Sequence, residues 1–168
     1  MDHNEQIKIT ELLINWLDDY NYETYSLSIG HSSLAHDKAF AENFALKWES
    51  SVNWVRSDGG FIINIVEWPI TAASWLKPAQ RLNKDNPDAW ILVGPFASSL
   101  KLMERLLNEK SWLPERTFCV FPTFENAENR FDLMRKLNGL EALLLSGEKW
   151  IIENGTWLTY GEDSKKRV

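Results

Sequence analysis

Glu67 and His31 are the side chains whose types and settings come nearest to acid–base chemistry in this sequence. Glu67 closes the apolar run Phe61-Ile62-Ile63-Asn64-Ile65-Val66 and precedes Trp68, a setting that can raise a carboxyl pKa. It is equally placed to be the first solvated residue after a strand. His31 follows Gly30 at another turn signal. A proton-transfer pair requires both to reach one crevice.

Hydroxyls, glycines and aromatic rings gather at four such places. They are Gly30-His31-Ser32-Ser33, Glu67-Trp68-Pro69-Ile70-Thr71, Gly94-Pro95-Phe96-Ala97-Ser98-Ser99 and Pro122-Thr123-Phe124. Hydroxyls and free N–H groups at helix starts suit a carboxylate or phosphate, and aromatic rings supply apolar walls. The candidate ligand-binding residues are therefore Glu67, Trp68, Thr71, Gly94, Ser98, Ser99 and Thr123, for a small polar or anionic molecule. Each hydroxyl has a competing use as a helix cap.

Other chemistries find little support. His31 and His36 are five apart beside Asp37, whereas a metal needs three or four convergent ligands, so no metal site is expected. Cys119 stands between Phe118 and Val120, an apolar setting in which a thiol is an inert small hydrophobe. The sequence holds no Walker-type loop, no G-x-G-x-x-G after its first strand and no G-x-S-x-G elbow. Pro87-Asp88 is not followed by the acid-x-lysine of a metal-dependent nuclease. No cofactor is expected. An enzyme would rest on Glu67 and His31 alone, and a non-enzymatic binding module is the preferred reading.

Composition narrows the partners. Eighteen Lys and Arg against 24 Asp and Glu leave a net charge of −6, which gives no general attraction to nucleic acid. The basic run Lys165-Lys166-Arg167 reads as a solvated tail. Met1-Asp2-His3-Asn4-Glu5 lacks the positive start and apolar stretch of a signal peptide, and no run nears the ~20 apolar residues of a membrane span. One cysteine fits a reducing compartment. A cytoplasmic location away from the membrane is the expectation. The nine tryptophans are an excess, and Trp150, Trp157 and Tyr160 near the C-terminus are candidate anchors for a protein partner.

These groups need elements to hold them. Ile9, Leu12, Leu13, Trp16 and Leu17 mark a helix, and Tyr22 to Ile29 alternates as a strand. A longer helix from Ala35 carries Phe40, Phe44, Trp48, Val52 and Val55. The strand Phe61 to Val66 follows, then a helix capped by Thr71 and interrupted by Pro78. Ala89 to Val93 is a strand, with a helix capped by Ser98 or Ser99 after it. Next come the strand Thr117 to Phe121, a helix from Glu125 to Leu137 and a short strand Ala142 to Leu145. Asn154-Gly155, between Trp150-Ile151-Ile152 and Trp157-Leu158, is a hairpin turn. Alternating strands and helices predict a single three-layer α/β domain over residues 1–160, with residues 161–168 as a flexible tail. Its sheet is mostly parallel, of about five strands with helices on both faces and a C-terminal β-hairpin. Ligands of such sheets sit beyond the carboxyl ends of the strands.

Residues 86–160 resemble a lobe of the type 1 periplasmic-binding proteins, the substrate-binding components of some ABC transporters. The likeness rests on Pro87-Asp88-Ala89-Trp90-Ile91-Leu92-Val93-Gly94-Pro95, the helix with Leu106-Leu107, Trp112-Leu113-Pro114 and Arg116-Thr117-Phe118. It implies a strand–helix–strand unit that helps form one lobe around a small polar ligand, often an amino acid. The chain is about one lobe long, so the resemblance implies a cytoplasmic relative that keeps the fold without the transport role.

Overall fold

The computed structural model describes residues 3–19, 24–53, 56–123 and 130–160. The described residues share one seven-stranded sheet in the order β2-β1-β3-β4-β5-β6-β7. The chain runs α1 (His3–Asp19), β1 (Ser26–Ser32), α2 (Ala35–Glu49), β2 (Phe61–Trp68), α3 (Leu76–Leu82), β3 (Ala89–Val93) and α4 (Phe96–Leu106). It continues through a 3-10 turn at Pro114–Arg116, then β4 (Thr117–Phe121), α5 (Phe131–Lys136), β5 (Glu141–Leu144), β6 (Lys149–Glu153) and β7 (Thr156–Thr159). Strands β1 to β5 pair in parallel, and β6 and β7 add an antiparallel hairpin. This is the α/β sheet the sequence predicts: five parallel strands and a closing hairpin.

Every residue of β3 and β4 is buried, as expected of strands covered on both faces. Their alternation divides the core in two. Trp90, Leu92, Cys119 and Phe121 join Leu82, Leu100, Met103 and Met134 on the α3, α4 and α5 side. Ala89, Ile91, Val93, Phe118 and Val120 join Leu13, Leu17, Phe40 and Phe44 on the α1 and α2 side.

Several boundaries differ from the sequence reading. Strands β1 and β2 run on to Ser32 and Trp68, past the expected ends at Ile29 and Val66, so His31 and Glu67 are strand residues. Helix α2 ends at Glu49, and Val52 is exposed in the segment beyond it; Val55 lies outside the described residues. Helix α3 starts at Leu76, so Thr71 is an exposed loop residue and not its cap. That start puts Pro78 in the first turn, where a missing N–H leaves no hydrogen bond unmade. Helix α4 begins directly after Pro95, and the Ser98 and Ser99 hydroxyls donate back to the Pro95 carbonyl at 3.1 and 2.9 Å. The expected starts at Tyr22 and Glu125 and the expected tail 161–168 lie outside the described residues.

Asp88 has a structural use at the opposite end of the sheet. Its carboxylate accepts from the backbone N–H of Tyr25 and Ser26 and from the Ser26 hydroxyl, at 2.8–3.1 Å. It thereby ties the start of β1 to the start of β3.

Cys119 is fully enclosed, and burial pushes its thiol well above the ordinary range because the thiolate would lose its hydration. The folded chain is therefore expected to resist a disulfide reagent at pH 8, reacting no faster than it unfolds. Prompt labelling of the native protein would contradict this. The unfolded thiol ionises from about pH 8.5 while the folded one does not. This contribution to stability is thus complete below that pH and shrinks above it, by up to about 1.4 kcal/mol per pH unit.

Candidate functional site

The strand order marks where a candidate site would lie. From β1 the chain steps outward to β2, then crosses back to β3 on the other side of β1. The order reverses between β1 and β3, and in open α/β sheets the crevice for ligands lies at that reversal, beyond the carboxyl ends of the strands. Because β1 to β4 are parallel, the loops after residues 32, 68, 93 and 121 leave from one rim.

At the reversal the loop after β1 meets the loop after β3. A Cβ placed on Gly94 would lie 3.0 Å from the Ser32 Cβ, 3.0 Å from Trp68 Cζ2 and 3.5 Å from Asp37 Oδ2. Ser32 Oγ donates to Asp37 Oδ2 at 2.5 Å and accepts from the Leu34 N–H at 3.2 Å. His36 Nε2 lies 3.3 Å from Asp37 Oδ1; the Asp37 side chain is 5% exposed and that of His36 49%. A buried carboxylate in the first turn of α2 thus gathers a hydroxyl and an imidazole beside Gly94. The serine donates to the carboxylate and not to the histidine, so this is not the relay of a nucleophilic serine.

His31 is 3% exposed, and its Nδ1 sits 2.8 Å from the Ser32 carbonyl oxygen. Glu67 is its register partner on β2, and Val93 its partner on β3. The two candidate acid–base residues therefore stand on adjacent strands at the same level, although no hydrogen bond joins them. Glu67 is exposed.

Trp68 faces the other side of the sheet and is fully buried. Its ring lies over both glycines of the reversal: a Cβ on Gly30 would come within 2.7 Å of Trp68 Cζ3. Trp68 Nε1 donates to Ser98 Oγ at 3.4 Å. Trp68, Ser98 and Ser99 thus form the buried underside of the rim, while Glu67, Thr71 and Thr123 lie exposed upon it. Asp37 and Ser32 were not among the sequence candidates. The available signal was an acid in the first turn of a helix that starts just after a strand-ending serine.

The three anchors near the C-terminus pack inward. Trp150 and Trp157 lie against the α4 and α5 side of the core, with the Trp157 ring 6.2 Å from Phe96. Tyr160 stands edge-on to Trp16 at 5.7 Å.

The rim loops carry carboxylates and no Lys or Arg over residues 30–37, 67–75, 94–99 and 122–123. Two unit charges 4 Å apart near a protein surface interact by about 4 kcal/mol. An exposed helix start contributes only about 0.3–1 kcal/mol. Glu67 and Asp37, more than the start of α4, set the electrostatic character of the rim. Among the described residues, open recesses lie elsewhere. One of about 750 Å³ separates α4 from α5 beside Glu104, Leu107, Asp132 and Lys136, and one of about 350 Å³ separates α1 from α2. Among the described residues no three His, Cys, Asp or Glu side chains converge as a metal site, and no helix is long and apolar enough to cross a membrane.

No family model matches the chain, and no curated protein matches it. Among solved structures it is similar to a branched-chain amino acid ABC transporter periplasmic ligand-binding protein from Burkholderia xenovorans LB400, at a TM-score of 0.54 and 11% sequence identity. The match covers 82% of this chain and 34% of that one, so this chain spans about a third of that protein's length. At this identity the likeness is one of fold. It extends over most of the chain and is consistent with the resemblance read over residues 86–160.

Proposed function

We propose that this chain is a non-enzymatic module that binds a small polar molecule on the rim between β1 and β3. The observation carrying the reading is the meeting of the two loops at the reversal, where Gly94 lies against Ser32 and the buried Asp37 carboxylate. Glu67, Thr71 and Thr123 border that point, and Trp68, Ser98 and Ser99 support it from below. The likeness to a ligand-binding protein is compatible with the reading. A cytoplasmic setting belongs to the same proposal, supported by a lone, buried, unpaired cysteine.

The test is thermal shift against a panel of small polar metabolites, repeated on Gly94→Val. The wild type is expected to gain at least ~2.7 kcal/mol, seen as a rise in Tm, with a ligand held at about a hundred times its Kd. Gly94→Val fills the space beside Ser32 and should abolish that rise. A flat panel, or a rise that survives the valine, would refute rim binding.

A further inference from the structure

The two edges of the sheet are not equally open. At one, β7 is four residues long, a length that blunts an edge. At the other, β2 is eight residues long, and among the described residues only β1 pairs with it. Along β2, alternate N–H and C=O groups therefore point outward with no strand to receive them. Edges are ordinarily protected by lysine, proline or an inward charge, and residues 59–66 contain none of these. Apolar side chains stand uncovered there instead. Phe61 is 49% exposed and Ile65 39%, and Tyr25, stacked on Phe61 with ring centroids 6.4 Å apart, is 45% exposed.

We infer that β2 is a dimerisation strand: it pairs antiparallel with β2 of a second copy of this chain across a two-fold axis, making one continuous sheet. This surface runs along the flank of the sheet and does not depend on ligand binding at the rim.

A bulge sets the register. The pairing of β1 with β2 shifts by one residue between Leu27 and Ser28, so β2 carries an extra residue at Ile63. Ile62 packs against the α1 and α2 core, and Ile65 is the register partner of Ile29 in that core, so the two share a face. Phe61 and Val66 are partners of Ser26 and Gly30, which alternate onto the other face. Directly opposed residues of an antiparallel pair lie on one face. An axis between Ile63 and Asn64 satisfies this twice, setting Ile62 opposite the partner's Ile65 and Phe61 opposite the partner's Val66. An axis through either residue would oppose Ile62 to Asn64 or Val66, which face the other way.

Charge and area fit a second copy. The ladder holds no ionised side chain before Glu67, which falls opposite Gly60 at its end. The two Glu67 carboxylates then stand roughly 23 Å apart at about 3.3 Å per residue, beyond twice the Debye length at physiological salt. The net charge of −6 on each copy repels at long range, so the dimer should tighten as salt is raised. A specific interface buries at least about 600 Å² on each side. Half-exposed Tyr25 and Phe61 supply roughly 150–250 Å² of ring per copy. The rest of the ladder must add about 350–450 Å², which places the dimer at the low end of specific interfaces and makes it reversible.

Sedimentation equilibrium of the full chain, from about 5 to about 500 µM, brackets an interface of that size and tests the inference. The apparent mass is expected to rise from that of one chain towards that of two. Ile65→Lys is expected to weaken the dimer at least tenfold, with urea unfolding of the dilute chain confirming that the variant folds. Phe61→Lys gives the same reading if it does not. Leu158→Lys, 44% exposed on β7, should leave the dimer as it is. Backbone N–H groups of residues 62–66 should exchange about tenfold more slowly at the high concentration than at the low. The mass of one chain throughout overturns the inference. So does a dimer that Leu158→Lys breaks and Ile65→Lys spares, or one whose formation leaves exchange in β2 unchanged.

Discussion

Arg56→Leu is expected to lower the unfolding free energy by about 3–4 kcal/mol, towards the low end for breaking a buried ion pair. Arg56 is 1% exposed and ties together the end of α1, the approach to β1 and the segment after α2. Its Nη2 donates to Asp18 Oδ1 at 2.6 Å and to Ser51 Oγ at 3.1 Å, its Nη1 to the Thr24 carbonyl and its Nε to the Ser51 carbonyl. The guanidinium also lies 3.8 Å from the Trp48 ring centroid. Leucine would strip the donors from two carbonyls and remove the cation from the indole face. The low end applies because the Asp18 side chain is 31% exposed, so water screens the carboxylate left behind. Asp18→Asn keeps an acceptor for Nη2 but takes the counter-charge from a buried guanidinium, and should cost about 1.5–3 kcal/mol. Arg56→Lys should fall between, since an ammonium cannot reproduce the planar fork. Urea unfolding provides the measurement: the midpoint should fall with an unchanged slope. A leucine variant within about 1 kcal/mol of wild type would show that the network contributes little beyond packing.

The same residue shows why some of the fold was legible in the sequence and some was not. The strands Ala89–Val93 and Thr117–Phe121 could be read because continuous apolar runs between turn-formers have few other uses. The Asn154-Gly155 turn could be read because both positions take positive φ, here 53° and 83°. The end of α2 could not. Val52 continues the apolar spacing, yet the chain leaves the helix at Glu49 and returns to place Arg56 over Trp48, a contact between residues that no local pattern connects. Nor could the start of α3 be read from Thr71: the helix begins at Leu76, where Pro78 falls in the first turn and its missing N–H costs nothing.

The candidate site divides in the same way. Parallel strands made a common rim foreseeable, and it followed that loops near residues 30, 67, 94 and 122 would share it. Strand order was not foreseeable, because pairing of β1 with both β2 and β3 is a long-range choice. Without it the meeting of Gly94 with Ser32 and Asp37 had no sequence signal, and Glu67 and His31 could not be seen as register partners. Nor does a tryptophan at the end of a strand declare which face it will occupy.

Trp68→Ala is the change expected to act most strongly on the rim, lowering stability by about 3–5 kcal/mol. The indole is fully buried against two glycines: a Cβ on Gly30 would come within 2.7 Å of the ring, closer than a side chain allows, and one on Gly94 within 3.0 Å, a tight contact. Gly30 lies in β1 and Gly94 directly follows the neighbouring β3, so the ring bridges the sheet where the strand order reverses. Removing it leaves a cavity that the glycines cannot fill, and strips Ser98 Oγ of an N–H donor. Such a cavity is apolar and shaped like its former occupant, so free indole should bind there and restore part of the lost stability. The paired measurement is urea unfolding with and without indole, on wild type and variant. Recovery in the variant alone would establish that Trp68 acts as a packed wedge beneath the site. A loss under about 1 kcal/mol, or equal responses of the two proteins to indole, would mean that the ring does not hold the β1 and β3 ends together.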